Sequence, residues 1–523
     1  GEEGQAGALA GRAAREAWPL LALPGAQLGD VSPSALRAFL CTGGMLVVTG
    51  LEPGANPPLQ ALEVELGTSL PVCRWLSEGR RRGVFFSERE RLLTRELAGA
   101  RFESDEARAW LVAPDTGTLA WTEEKGNRAP LAWTAPVAGG RIVLTTGASD
   151  LEERGEGKWR YPLAVLVPLM ALGAAFGETA WHAPWTLANV TVDDPTLDQG
   201  LLGLDYRHIV ELARAHGFHL TVATIPRELG LADPAILELL RRERDVVGAC
   251  YHGNDHDSYE FYIEGVARHR FPARPLATQR RKLQEAARRG TRLATSAGLA
   301  LDRVMVFPHG VCSAELLPSV HDAGFLATCN GVDRYPLGSV APPSEETGTR
   351  PADLDWSGFP LLGRRPLGAV GELALDLFLG KPAIGFTHRP DMEPRFTPVL
   401  EHAAAINRLG GSAAVRWCGL EDVARHAYLV RRVPEESRWE VLMTANEICL
   451  HNSGPSTRVY RVRRPCLPAT DRLEVRSPGH VLRTARAEVD VTVPPERTVE
   501  VTVVRPGGSG LPRPWRGACL LGC

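Results

Sequence analysis

Leu187-Ala188-Asn189-Val190-Thr191-Val192-Asp193-Asp194-Pro195 is an apolar run that closes on two adjacent carboxylates and a proline. In a regular strand, consecutive side chains point to opposite faces, but at a strand exit the pleat relaxes and both carboxylates can converge. One can then hold a metal while the other handles a proton. A second stretch, Cys250-Tyr251-His252-Gly253-Asn254-Asp255-His256, follows the apolar run DVVGA and sets two histidines four residues apart. A helix starting there would put both imidazoles on one face. Two imidazoles and a carboxylate leave positions open for water and substrate, as in catalytic rather than structural zinc or related divalent metal sites.

Around these two stretches the chain alternates. LANVTVDD, FHLTVATI, DVVGACYHG, RVMVFPHG, FLATCN and PAIGFTH read as strands, separated by helices such as LDYRHIVELARAHG and ATQRRKLQEAARRGTRLATSAG. This spacing predicts a parallel α/β sheet or barrel over residues 181–434, with its chemistry at the C-terminal strand ends. Upstream, WPLLALPG, SPSALRAFLCTGG and MLVVTG read as strand, helix and strand, followed by RGVFF, AWLVA, LAWTA and RIVLTTG. They predict a small doubly wound α/β domain over residues 18–180. It resembles, in architecture alone, the class I glutamine amidotransferase-like or flavodoxin-like domains. Cys41 has no nucleophile elbow around it and is expected to be a packed thiol. Residues 1–17 are expected to be a loose, flexible end. After Pro434, short alternating runs broken by Gly, Pro, Asn and Asp predict a β-sandwich over residues 435–506, and the Pro/Gly-rich tail 507–523 is expected to be disordered.

Composition narrows the function. A net charge of -3 over 523 residues leaves no basic excess for a phosphate backbone, so nucleic acid is not the expected partner. The longest apolar run, Tyr161 to Gly177, carries Pro168 and Gly173 and is short for a membrane span, so a buried helix is expected. The opening GEEGQAG is not a signal peptide. The ten cysteines are scattered with no CxxC pair, which fits buried thiols and leaves one or two bridges open. His216, His219, His309 and His321 are each expected to be satisfied by local hydrogen bonds.

The Asp-Asp strand end and the HxxxH loop, in this order, make the chain similar to the polysaccharide deacetylase (NodB-homology, carbohydrate esterase 4-like) superfamily over roughly residues 185–430. The resemblance implies a distorted (β/α) barrel in which Asp194, His252 and His256 hold one divalent metal. Zinc is the first choice for that donor set. It implies Asp193 as general base, and Thr387-His388 as the strand end whose histidine protonates the leaving amine. Val306-Phe307-Pro308-His309-Gly310 resembles the third family motif, with Pro308, His309 and Gly310 shaping the groove and offering an oxyanion donor. Here Val306 stands where relatives carry arginine, and Asp355-Trp356, the nearest match to the partnering Asp-Trp motif, lacks the first aspartate. The base is therefore expected to be positioned differently, by Arg364 or Arg365. The implied activity is removal of N-acetyl groups from an amino-sugar polysaccharide, with O-acetyl esters and other amides left open. The implied partner is an acetylated glycan, and the implied location is outside the cytoplasm. The rival is a non-catalytic glycan-binding or scaffold protein with a decayed site.

Overall fold

A computed structural model describes residues 3–77, 82–104, 108–147, 162–198, 204–257, 259–263, 273–332, 350–388, 396–409, 414–477, 480–484 and 486–505. The tail 507–523 lies outside them. The chain divides into two compact units, Gly1–Ala180 and Trp181–Cys523.

In the first unit a seven-stranded sheet runs in the order Leu20–Pro24, Met45–Thr49, Gly140–Thr145, Asn127–Val137, Thr118–Glu124, Arg82–Phe86, Arg101–Ser104. Its first three strands pair in parallel, but the others are antiparallel, which corrects the expectation of a doubly wound sheet throughout. The reason is local. Turns at Gly126 and Gly139, both at positive φ, join successive strands directly and leave no room for the crossover that a parallel pair needs. The helices Pro33–Cys41 and Asn56–Leu66 bury Leu36, Phe39, Leu40, Leu59 and Leu62 against Leu46, Val48, Ile142 and Leu144. Helix Pro162–Phe176 packs on the same three parallel strands, and Leu172 and Phe176 on it stay exposed. No described helix is long and apolar enough to cross a membrane.

Two further expectations for this unit are corrected. The segment expected to be loose is ordered from residue 3, because Glu3–Arg15 forms a helix whose Ala6, Ala10 and Ala13 are buried in the same core, and residues 1 and 2 lie outside the described residues. Alanine is the strongest helix former, and the i, i+4, i+7 spacing puts these three small residues on one face. Cys41 is exposed rather than packed, while the other described cysteines are buried except Cys466, and all eight are free thiols.

The second unit is built on a closed barrel of seven parallel strands: Leu187–Asp193, Leu220–Thr224, Val247–His252, Asp302–Val306, Ala327–Gly331, Leu361–Pro366 and Ala383–His388. The first strand pairs with both the second and the seventh, which closes the ring, and Arg416–Trp417 adds outside it. The sixth strand, Leu361–Pro366, is one that sequence reading did not find. Val190, Val192, Val222, Ala249, Tyr251 and Met305 face the surrounding helices, in one core cluster with Ile209, Leu240 and Leu283. Residues of the opposite parity, such as Cys250, Val304, Val306, Cys329 and Leu362, belong to a second cluster that fills the barrel. Burial on both faces explains why these strands read as nearly continuous apolar runs. The helix Tyr206–His216 begins where Asp205 accepts the His208 N–H at 3.0 Å and ends at Gly217 in the left-handed region.

The same unit holds two four-stranded sheets. One is Tyr428–Val433, Arg438–Met443, Arg458–Arg463 and Glu488–Val493, and the other is Glu447–Asn452, Arg497–Val504, Arg472–Ser477 and His480–Thr484. Val441, Val462 and Val491 of the first and Ile448, Val475 and Val501 of the second share the cluster that fills the barrel. The first of these strands begins before Pro434, ahead of the change in sequence pattern.

Candidate metal centre

The first barrel strand delivers its two carboxylates differently. Thr191 and Asp193 alternate with the outward Val190 and Val192, so both point into the barrel. Asp194 follows with φ 77, a left-handed conformation uncommon outside glycine, and this turn lets its side chain join the same mouth.

The third strand ends on His252. Its Nδ1 lies 3.0 Å from the Val306 carbonyl oxygen, so Nδ1–H donates there and Nε2 is left facing Asp194 Oδ1 at 3.2 Å. No helix starts at this point. Gly253 at φ 61 and His256 at φ 46 fold the loop back, and His256 Nε2 arrives 3.4 Å from the same Asp194 oxygen. The three donor atoms lie within 4.8 Å of one another.

This cluster fits a cation. Asp194 Oδ1 is buried and receives no hydrogen bond, although two imidazole nitrogens ring it. With Nδ1–H spent on Val306, a neutral His252 turns a lone pair toward that oxygen, and either a metal or a second proton must relieve the contact. Burial is the largest influence on His252 and disfavours its charged form. The hydrogen bond a doubly protonated ring makes to Asp194, with the charges of Asp193 and Asp194, outweighs burial and raises its pKa. His256 moves the other way, because burial and then the His252 charge lower its pKa and keep it neutral, as a metal ligand must be. Asp194 is held ionised. Burial pushes its pKa up, but a doubly protonated His252, through the hydrogen bond and charge it would bring, pulls it down further.

Behind the cluster lies a buried ion pair. Arg364, from the sixth strand, donates to Asp193 Oδ1 and Oδ2 at 2.6 Å each and to Thr191 Oγ1 at 2.9 Å. Its guanidinium carbon sits 4.6 Å over the Phe386 ring. Burial pushes the Asp193 pKa up, but the Arg364 charge and then that of His252 bring it below the ordinary range. Arg365 has no part in this, because the strand's alternation sends it to Asp376, which Nη2 reaches at 2.9 Å. Asp355 lies elsewhere, 3.7 Å from Arg350, and Trp356 is buried.

His388 ends the seventh strand, in register with Asp193 on the first, and is exposed at the mouth. Just past the fourth strand, the Phe307 N–H is fixed by Asn330 Oδ1 at 3.1 Å. His309 adopts φ 54, and its ring stands 4.2 Å from Tyr259 and 5.3 Å from His256. Pro308 has no N–H and the Gly310 N–H goes to the Phe307 carbonyl at 2.8 Å, so neither of their backbones offers a donor to a substrate. Of the other histidines, His219 is buried against the Arg244 carbonyl and Asn189, and His321 packs near Phe359. Thr191, Asn330, Phe386, Tyr259 and Glu260 complete the surroundings of the site, and none carries a sequence signal of its own.

No family model and no curated relative matches the chain. Among solved structures it is similar to a family 4 carbohydrate esterase from Streptomyces lividans in complex with acetate, at 12% identity over 45% of this chain and 92% of that one, with a TM-score of 0.25. It is similar to a polysaccharide deacetylase from Bacillus cereus, at 12% identity over 45% and 93%, with a TM-score of 0.25. It is also similar to a CE4 family pseudoenzyme from Bacillus anthracis, at 11% identity over 45% and 64%, with a TM-score of 0.26. At these scores the likenesses assign neither family nor activity.

Proposed function

We propose that the protein is a metal-dependent hydrolase that removes N-acetyl groups from an amino-sugar polysaccharide, with zinc held by Asp194, His252 and His256, acting outside the cytoplasm. One observation carries this reading: two imidazole nitrogens converge on an unsatisfied carboxylate oxygen at the C-terminal end of the barrel, beside a buried carboxylate and an exposed histidine. A divalent cation held there would supply Lewis acidity to the acyl oxygen and make nearby water more acidic. Asp193 takes the proton of the attacking water, with Arg364 fixing its plane and keeping it ionised. The His309 N–H faces the developing oxyanion. His388, exposed at the mouth, gives its proton to the departing amine, and acetate is released.

The test is acetate release from acetylated chito-oligomers and other acetylated glycans by wild type and Asp193→Asn. Release by wild type, lost in the variant while its metal remains, supports the proposal. Metal without release from any substrate favours a second reading, a glycan-binding protein with a decayed site, and one feature fits it: both Asp193 oxygens are already engaged by Arg364, which lowers their basicity.

A further inference from the structure

The loop between His252 and His256 has no regular structure of its own, yet it must hold the second imidazole within a few tenths of an ångström. Glu260 does this from behind. It is fully buried, and its carboxylate accepts the Asn254 N–H at 2.9 and 3.0 Å, the Asp255 N–H at 3.3 Å and the His256 N–H at 3.1 Å. Three successive amides thus converge on one anion.

The glycine before them makes this possible. Gly253 sits at φ 61, and a Cβ placed on it would lie 2.1 Å from Glu260 Oε2 and 2.7 Å from Pro308 Cγ. Glu260 therefore occupies the space a side chain at 253 would need. Its own anchor is firm, because the next residue, Phe261, is buried and packs edge-on to Phe307 with ring centroids 5.0 Å apart. The outer side of the loop is clamped by Lys282 on Asp255 at 2.7 Å and Arg289 on Asn254 at 2.9 Å, both from the helix Leu276–Ala297.

We propose that Glu260 is the positioning residue of the metal centre: its buried carboxylate gathers the backbone N–H groups of residues 254–256 and so aims His256 at Asp194. This rests on the reading of Asp194, His252 and His256 as metal ligands. Glu260 touches neither metal nor substrate, and its effect is on the geometry of His256. Outer partners of metal ligands typically set affinity by about 10- to 100-fold.

The experiment titrates apo protein with Zn²⁺ against a chromophoric chelator and records the visible spectrum of the Co²⁺ form, for wild type, Glu260→Gln and Gly253→Ala. Both variants keep every ligand. Glu260→Gln places an amide where all neighbours donate, and Gly253→Ala pushes the carboxylate aside. The expected result is metal affinity weakened about 10- to 100-fold in both, with a shifted Co²⁺ spectrum and an unchanged far-UV circular dichroism spectrum. Wild-type affinity and spectrum in either folded variant overturn the inference. If Glu260→Gln fails to fold, Gly253→Ala decides by the same readings. Wild type that binds no metal overturns the centre itself, and with it the role given to Glu260.

Discussion

Arg364 grips Asp193 by both carboxylate oxygens at 2.6 Å, reaching across from the sixth barrel strand to the first inside the barrel, where both residues are buried. A carboxylate so held is fixed in orientation and kept charged at the same time. The pair is also isolated from solvent, so each partner depends on the other.

Replacing Arg364 with methionine leaves burial as the main influence on Asp193, and burial raises its pKa. The base must be ionised to work, so the acid limb of the pH-rate profile moves to higher pH. At pH 6 we expect kcat/KM to fall at least about tenfold, and less at pH 9. A uniform loss at all pH values would assign Arg364 a purely structural part.

The same pair sets a stability test. Asp193→Ala leaves a buried guanidinium without its partner and should cost about 3–5 kcal/mol. Combining it with Arg364→Met should restore part of that loss, measured by urea unfolding. A double variant less stable than Asp193→Ala alone would contradict the coupling.

If His388 delivers a proton to a poor leaving group, its role disappears when the leaving group needs none. His388→Gln should lower turnover of an acetamide by about 10²- to 10⁴-fold and that of 4-nitrophenyl acetate by much less, with metal content unchanged. Equal losses on both substrates would move His388 out of the acid role.

Acid should weaken the barrel through two buried imidazoles. Burial lowers the pKa of His219 and of His402 to about 4. In the unfolded chain each titrates near about 6.5. Between those values the unfolded state holds a proton that the folded state refuses, so stability is fully present above about 6.5 and falls as pH drops toward 4. Each should cost roughly 2–3 kcal/mol at pH 4.5. His402 also accepts the Gly368 N–H at 3.3 Å, which a protonated ring cannot do. In urea unfolding, His402→Gln should flatten the loss between pH 7 and 4.5, and an unchanged slope would refute this account.

What was legible in the sequence follows from where the forces are local. The ends of the first and third strands could be read because the strands are buried on both faces and carry no carboxylate or imidazole until Asp193 and His252. The sixth strand could not be read. Leu361-Leu362-Gly363-Arg364-Arg365-Pro366 has two arginines, a glycine and a proline, and only barrel closure makes it a strand. That closure also separates Arg364 from Arg365, which the sequence left as equals. The convergence of His256, which a helix starting there would also have produced, arises from left-handed turns at Gly253 and His256 with Glu260 beneath them, which no short-range pattern encodes. In the first unit, the helix Glu3–Arg15 was hidden because its buried face is only alanine, and the antiparallel half of the sheet depends on which strands meet.

The central claim is that Asp194, His252 and His256 hold a divalent metal, and elemental analysis of purified wild type beside the His252→Ala/His256→Ala double variant tests it most directly. About one zinc or other divalent ion per chain in wild type, absent from a folded double variant, is the predicted result. Metal-free wild type after equilibration with Zn²⁺, or equal metal content in both proteins, would contradict it.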